Sequence, residues 1–130
     1  MTLTRDQILQ VEDITKELVS VPEWGGEVYV RGMTGDERDT FEGSLLVNRG
    51  KDQTVNLRNI RAKLASLTVC DEKGKRIFSE ADTLALARKS AAALQRVFVV
   101  AQKLSGITDA DVKDLAGELE KDPFGPLPTA

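Results

Sequence analysis

Four times along this chain of 130 residues a hydroxyl side chain is followed, three positions later, by a side-chain acceptor: Thr4 with Gln7, Thr34 with Glu37, Ser79 with Asp82 and Thr108 with Asp111. A hydroxyl at a helix N-cap accepts from the amide three residues on, and the acceptor there reaches back to the cap amide. Each pair thus satisfies two donors that a helix start leaves bare. Before Thr4 and Thr108 stands an apolar residue, with another at the fourth helical position: Leu3 with Ile8, and Ile107 with Val112. That is the hydrophobic staple pattern. Four marked helix starts in so short a chain imply a mainly helical fold.

One stretch departs from the helical period. Val28 and Val30 alternate with Glu27, Tyr29 and Arg31, which reads as a half-buried strand with its polar residues outward. Ahead of it, Pro22-Glu23-Trp24-Gly25-Gly26 supplies turn chemistry, so residues 16–33 are predicted to form a hairpin. Two strands alone are marginal in water, so the hairpin must pack on helices or extend a sheet across chains, and its outer edge is a candidate contact surface.

The rest reads as helices. Phe41 and Leu45 stand one turn apart after Thr34, with Arg49-Gly50 as a basic last turn and C-cap. Leu57, Ile60, Leu64 and Leu67 form a stripe opposite Arg58 and Arg61. Lys73-Gly74-Lys75 is a turn, and Ile77-Phe78 is a short strand or an apolar plug. From Ser79 to Ser105 two apolar stripes run, one through Leu84, Ala87, Ala91, Leu94, Phe98 and Ala101, the other through Leu86, Val97, Val100 and Leu104. A helix apolar on two sides belongs at the centre of a bundle, and Ser90 is a second N-cap that breaks it. Val112, Leu115, Ala116 and Leu119 carry a last helix. The expected architecture is α+β, mainly α: an N-terminal short helix and a β-hairpin packed on a bundle of about four to five helices. Residues 1–121 form a single domain (hairpin 16–33, helical body 34–121), and 122–130, with three of the four prolines, a loose Pro-rich tail.

Composition removes whole classes of chemistry. There is no His and a single Cys, Cys70, so a Cys/His zinc site, an intrachain disulfide and any Ser-His-Asp or Cys-His nucleophile are excluded. Gly43, Gly50 and Lys51 miss the phosphate-loop pattern, with six residues between the glycines and Asp52 after the lysine. Glu37, Asp39 and Glu42 fall on an exposed helix start where they complement the dipole, so no acid-base pair is implied and no enzymatic role or cofactor is expected. Cys70, after Leu67 and Val69, reads as a small buried residue. No window approaches the roughly 18 apolar residues of a membrane span, and the first residues lack a signal peptide's apolar run, so a soluble intracellular protein is expected.

Charge is segregated. The net −3 hides +4 over Arg49–Lys63, +4 over Arg88–Lys103 and −4 over Asp109–Asp122. The pattern reads first as solvated helix faces, and the acidic segment can alternatively pair with either basic stretch, in its own chain or a neighbour's. The total argues against nucleic acid, and Arg49–Lys63 contains no aromatic to stack on a base. Trp24, the sole Trp, either folds over the hairpin as a lid on the core or stands out as an interface anchor.

The run Val21-Pro22-Glu23-Trp24-Gly25-Gly26-Glu27-Val28-Tyr29-Val30-Arg31-Gly32-Met33-Thr34-Gly35-Asp36-Glu37-Arg38-Asp39 resembles the N-terminal part of tail assembly chaperones of long-tailed bacteriophages and related prophages. The run Asp71 to Asp82, together with Lys89-Ser90 and Leu104-Ser105-Gly106, is similar to the same family. The resemblance implies a non-enzymatic assembly factor, made in the cytoplasm of the infected bacterium and absent from the virion. Its implied partner is the tape measure protein, coated and kept soluble while tail tube subunits polymerise around it. A longer form made by frameshifting near the Pro-rich end would reach the tail tube protein. On this reading the contact residues are Trp24 and Tyr29 in the hairpin, Arg58 and Arg61 on the basic face, and Phe124 and Leu127 in the tail, and self-association is compatible with the open hairpin edge. Two other readings compete: a head-tail connector or minor tail protein retained in the virion, and a helical DNA-binding regulator using Arg58, Arg61 and Lys63.

Overall fold

The capping pairs form. In a computed structural model that describes residues 1–49, 52–107 and 111, Thr4 and Gln7 exchange both bonds of a capping box and open helix α1 (Arg5–Gln10). Thr34 and Glu37 do the same for α2 (Gly35–Ser44), with Glu37 N donating to Thr34 Oγ1 at 3.1 Å and Thr34 N to Glu37 Oε1 at 3.0 Å. At Ser79 the Asp82 carboxylate accepts from the Ser79 amide (2.8 Å) and opens a single 3-10 turn ahead of α4 (Thr83–Ala87). Thr108 of the fourth pair, the stripe through Val112, Leu115, Ala116 and Leu119 of the last helix and the tail from 122 lie outside the described residues.

The hairpin forms as β1 (Lys16–Val21) and β2 (Gly26–Arg31) across a 3-10 turn at Pro22–Trp24. It packs on helices, as expected, and its sheet is extended by a strand of its own chain rather than across chains. A short strand β5 (Val69–Cys70) pairs with the far side of β2 to make a three-stranded antiparallel sheet, β1-β2-β5. One sheet face, with Val19, Val21, Val30 and Val69, turns into the core against α5 (Ala91–Leu104) and α3 (Ile60–Thr68).

The helical body differs from expectation in two places. The helix from Thr34 does not run to Gly50: Ser44 Oγ donates to the Phe41 carbonyl at 2.6 Å, the helix stops at Ser44, and β3 (Leu46–Arg49) pairs with β4 (Asp52–Val55). The apolar and β-branched residues Leu46-Val47 and Thr54-Val55 flank Gly50-Lys51 at hairpin spacing, and Leu45, fully buried, anchors the near end. The central helix is α3, not the segment from Ser79. Ile60, Ala62 and all residues Leu64–Thr68 are buried, and the two hydroxyls so enclosed donate within the helix, Thr68 Oγ1 to Leu64 O and Ser66 Oγ to Lys63 O, both at 2.8 Å. The Ser79 segment breaks at Ser90, whose hydroxyl accepts from Ala93 N to start α5. The break splits the two stripes, burying Leu86, Leu94, Val97 and Phe98 while leaving Leu84 exposed. Ile77 is exposed and Phe78 packs against the core, so the plug is half realised.

Two contacts at the end of β2 hold these parts together. Arg31, expected on the polar outer face, is buried, and its guanidinium grips the Glu37 carboxylate side-on, Nη1 to Oε1 at 2.8 Å and Nη2 to Oε2 at 2.6 Å. Glu37, expected at an exposed start, is therefore half-buried and serves strand and helix at once. Beside it, Gly32 lies so close to the end of α5 that a Cβ built there would stand 2.5 Å from the Leu104 carbonyl oxygen, while Met33 N donates to Ser105 Oγ at 3.0 Å.

Since the Leu104 carbonyl is backbone and cannot swing aside, Gly32→Ala is expected to cost about 1–3 kcal/mol in urea unfolding, the range for overpacking a filled site. Glu37→Ala, which strands a buried guanidinium and uncaps α2, should cost about 2–4 kcal/mol. Burial pushes the Glu37 carboxyl up, but the bonds from Arg31 and the Thr34 amide more than offset it and hold the group below its ordinary 4.5. A lowered folded-state value means that ionised Glu37 stabilises the fold above pH 4.5, and this contribution fades as pH falls from there through the folded value. Stability measured against pH should slope down on that acid side, less steeply in the Glu37→Ala variant.

Candidate partner-binding surface

Among the described residues no cluster of three or more Cys, Asp or Glu could hold a metal ion, and no helix is long and apolar enough to cross a membrane. The sole thiol, Cys70, is buried; burial pushes its pKa up against the pull of Arg31 and Lys16, which makes it inert. What the surface offers is apolar exposure and an unpaired strand edge.

The sheet places both. Among the described residues β1 is an outer strand, hydrogen-bonded to β2 on one side only. On the face opposite the core, Leu18 pairs with Tyr29, which pairs in turn with Cys70, and the Lys16 ammonium sits 5.1 Å from the Tyr29 ring centre. Tyr29 is half-buried and Leu18 is 48% exposed. N-terminal to this face, the staple residues meet no core: Leu3, Ile8, Leu9, Val11 and Ile14 are all exposed, and α1 contains no buried residue. The capping box orders six residues, too few to bury a stripe, so its apolar side chains stay in solvent. Reading Leu3 and Ile8 as a staple hid this surface; only their lack of a tertiary partner reveals it.

The other expected contact residues separate. Trp24 folds back on the core and, with Phe78, Ala85 and Leu86, lines an apolar groove of about 500 Å³, its indole N–H buried without a partner. Glu23 beside it is tied to Arg96 of α5 at 2.9 Å, and that bond, the principal cause, lowers its pKa. Arg61 donates to Gln95 and lies over the Phe98 ring, joining α3 to α5. Arg58 is exposed, with no side-chain partner among the described residues. Lys63 donates to the Ser44 carbonyl at 2.9 Å. Phe124 and Leu127 lie outside the described residues. Lys89 lines both the Trp24 groove and a second groove that includes Arg61, whereas Tyr29 lies on the sheet face apart from them.

A family model described as phage tail assembly chaperone matches residues 5–118. The chain belongs to this family. No curated protein and no solved structure matches it. For a tail assembly chaperone the residues that carried the resemblance now have physical roles. Arg31 and Glu37 form the ion pair, Gly32 makes the close approach, and Leu104-Ser105 is the helix end it approaches. The family is not known as enzymatic, and it points to phage tail proteins as partners.

Exposed apolar residues of a chaperone are dispensable for its own fold. Ile8→Asp with Leu9→Asp should change the urea-unfolding free energy by no more than about 0.5 kcal/mol, because neither side chain is buried. Phe98→Ala, which empties a core position, should cost about 3–5 kcal/mol.

Proposed function

We propose that this tail assembly chaperone binds amphipathic helices of the phage tape measure protein in the cytoplasm of the infected bacterium, keeps that protein soluble while tail tube subunits assemble around it, and leaves before the virion is complete. The observation that carries the proposal is the N-terminal apolar run. Between Leu3 and Leu18 six large apolar side chains are exposed, next to a strand whose outer edge is unpaired among the described residues. Exposed apolar area on this scale marks a binding surface, and an amphipathic helix laid on it would bury both apolar faces. The edge strand adds backbone donors and acceptors for an extended segment.

Co-expression with the tape measure protein of the same phage should move that protein into the soluble fraction and recover a complex by pull-down. Ile8→Asp with Leu9→Asp should lose the complex with the chaperone still folded. A tape measure protein that stays insoluble and uncaptured would overturn the proposal, and abundant peptides of this chain in purified virions would favour a retained tail or connector protein instead.

A further inference from the structure

The fold sorts the basic residues of the chain. Arg96 and Lys103 of α5 are neutralised by Glu23 and Glu17, and Arg31 and Arg38 by Glu37 and Glu42. At one corner this compensation is missing. Arg58 and Arg61 stand at the start of α3, Arg88 and Lys89 in the break between α4 and α5; all are exposed, and among the described residues none pairs with a carboxylate. Arg61 is held only by neutral groups, the Gln95 amide oxygen and the Phe98 ring. Asn59 caps α3 with no side-chain hydrogen bond, and its first turn contains no acid, so the helix dipole adds to the same positive field.

The same corner is apolar between its cations. Lys89 stands between two grooves and lines both. The smaller, of about 200 Å³, has a floor of Leu57, Ile60, Ala87 and Leu94, with Arg61 and Lys89 as its charged lining and no carboxylate among the described residues. Arg58 and Arg88 each fall between two of its lining residues in sequence. The larger, of about 500 Å³, is walled by Trp24, Phe78, Ala85 and Leu86, and its carboxylates are already engaged, Glu23 by Arg96 and Asp82 by the Ser79 amide. A nucleic acid would satisfy the cations but would leave Leu57, Ile60 and Leu94 without apolar cover and would run its phosphates on toward Glu23 and Asp82. A helix with apolar side chains on one face and carboxylates beside them matches floor and rim together. We propose that this corner docks an acidic amphipathic helix of a partner protein, its apolar side chains in the two grooves and its carboxylates on Arg58, Arg61 and Lys89. The surface is separate from the N-terminal apolar arm, which ends where Thr15 accepts from Gly32 beside Leu104, about 15 Å along α5 from Leu94.

The probe is a synthetic peptide of about 18 residues, with leucines along one helical face and glutamates flanking them. Added to the full chain, it should shift the amide signals of residues 59–62 and 87–91 and change the fluorescence of Trp24, the sole Trp. The same shifts should appear in the Ile8→Asp, Leu9→Asp variant, whose N-terminal arm no longer offers an apolar surface. Arg58→Glu with Lys89→Glu, two exposed positions, should weaken the peptide about tenfold or more, because like charges then face each other. A second peptide with lysines in place of the glutamates should bind that charge-reversed variant more tightly than the unchanged chain, a gain that misfolding could not produce. Absent shifts would overturn the proposal, as would shifts lost with the arm substitutions or an affinity indifferent to charge reversal. A duplex oligonucleotide that binds at the same amides more tightly than the acidic peptide would assign the corner to nucleic acid and overturn it equally.

Discussion

A guanidinium cannot be left uncompensated inside a protein, and the burial of Arg31 therefore dictates where its neighbours go. Glu37 meets it from the third position of α2, already committed to the Thr34 cap, so one carboxylate fixes the end of a strand and the start of a helix. The five intervening residues are held at both ends. Gly32 falls against the Leu104 carbonyl and Met33 bonds to Ser105, which brings the end of α5 to the same point. Sheet, α2 and α5 are thus joined over seven residues, Arg31–Glu37, and α3 fills the space they enclose.

That joint also explains the surface. α5 and α3 cover one face of the three-stranded sheet, and Leu18 and Tyr29 lie on the opposite face. The N-terminal segment buries little of its own, since α1 ends after six residues and its apolar side chains remain in solvent. For an enzyme such exposure would be a liability toward aggregation. In a member of an assembly chaperone family it is the surface on which the proposed partner contact rests.

Much of the fold was legible because its signals are local. Thr4, Thr34, Ser79 and Ser90 act within one helical turn, and the alternation through Val28 and Val30 is a two-residue period, so both can be read without knowing what packs where. The misreadings share an opposite cause. Gly50 follows equally well from a helix cap or a hairpin turn, and the choice fell to Leu45, whose burial ends the helix early. Arg31 and Glu37 each have an ordinary exposed reading, and only their approach across the strand-helix corner makes them a buried pair. Of the surface, the open hairpin edge was legible; the apolar arm was not, because Leu3 and Ile8 look the same whether they pack or stand free.

By itself the sequence determined the helix starts, the hairpin, the exclusion of histidine-based catalysis and disulfide chemistry, and the motif that marks the family. These depend on residue identity and short spacing. Tertiary structure alone decided which helix is central, that Arg31 turns inward, which cations are neutralised by Glu17 and Glu23, and which apolar residues are left bare. Burial and ion pairing are properties of pairs distant in the chain, and a one-dimensional pattern holds no distance between them.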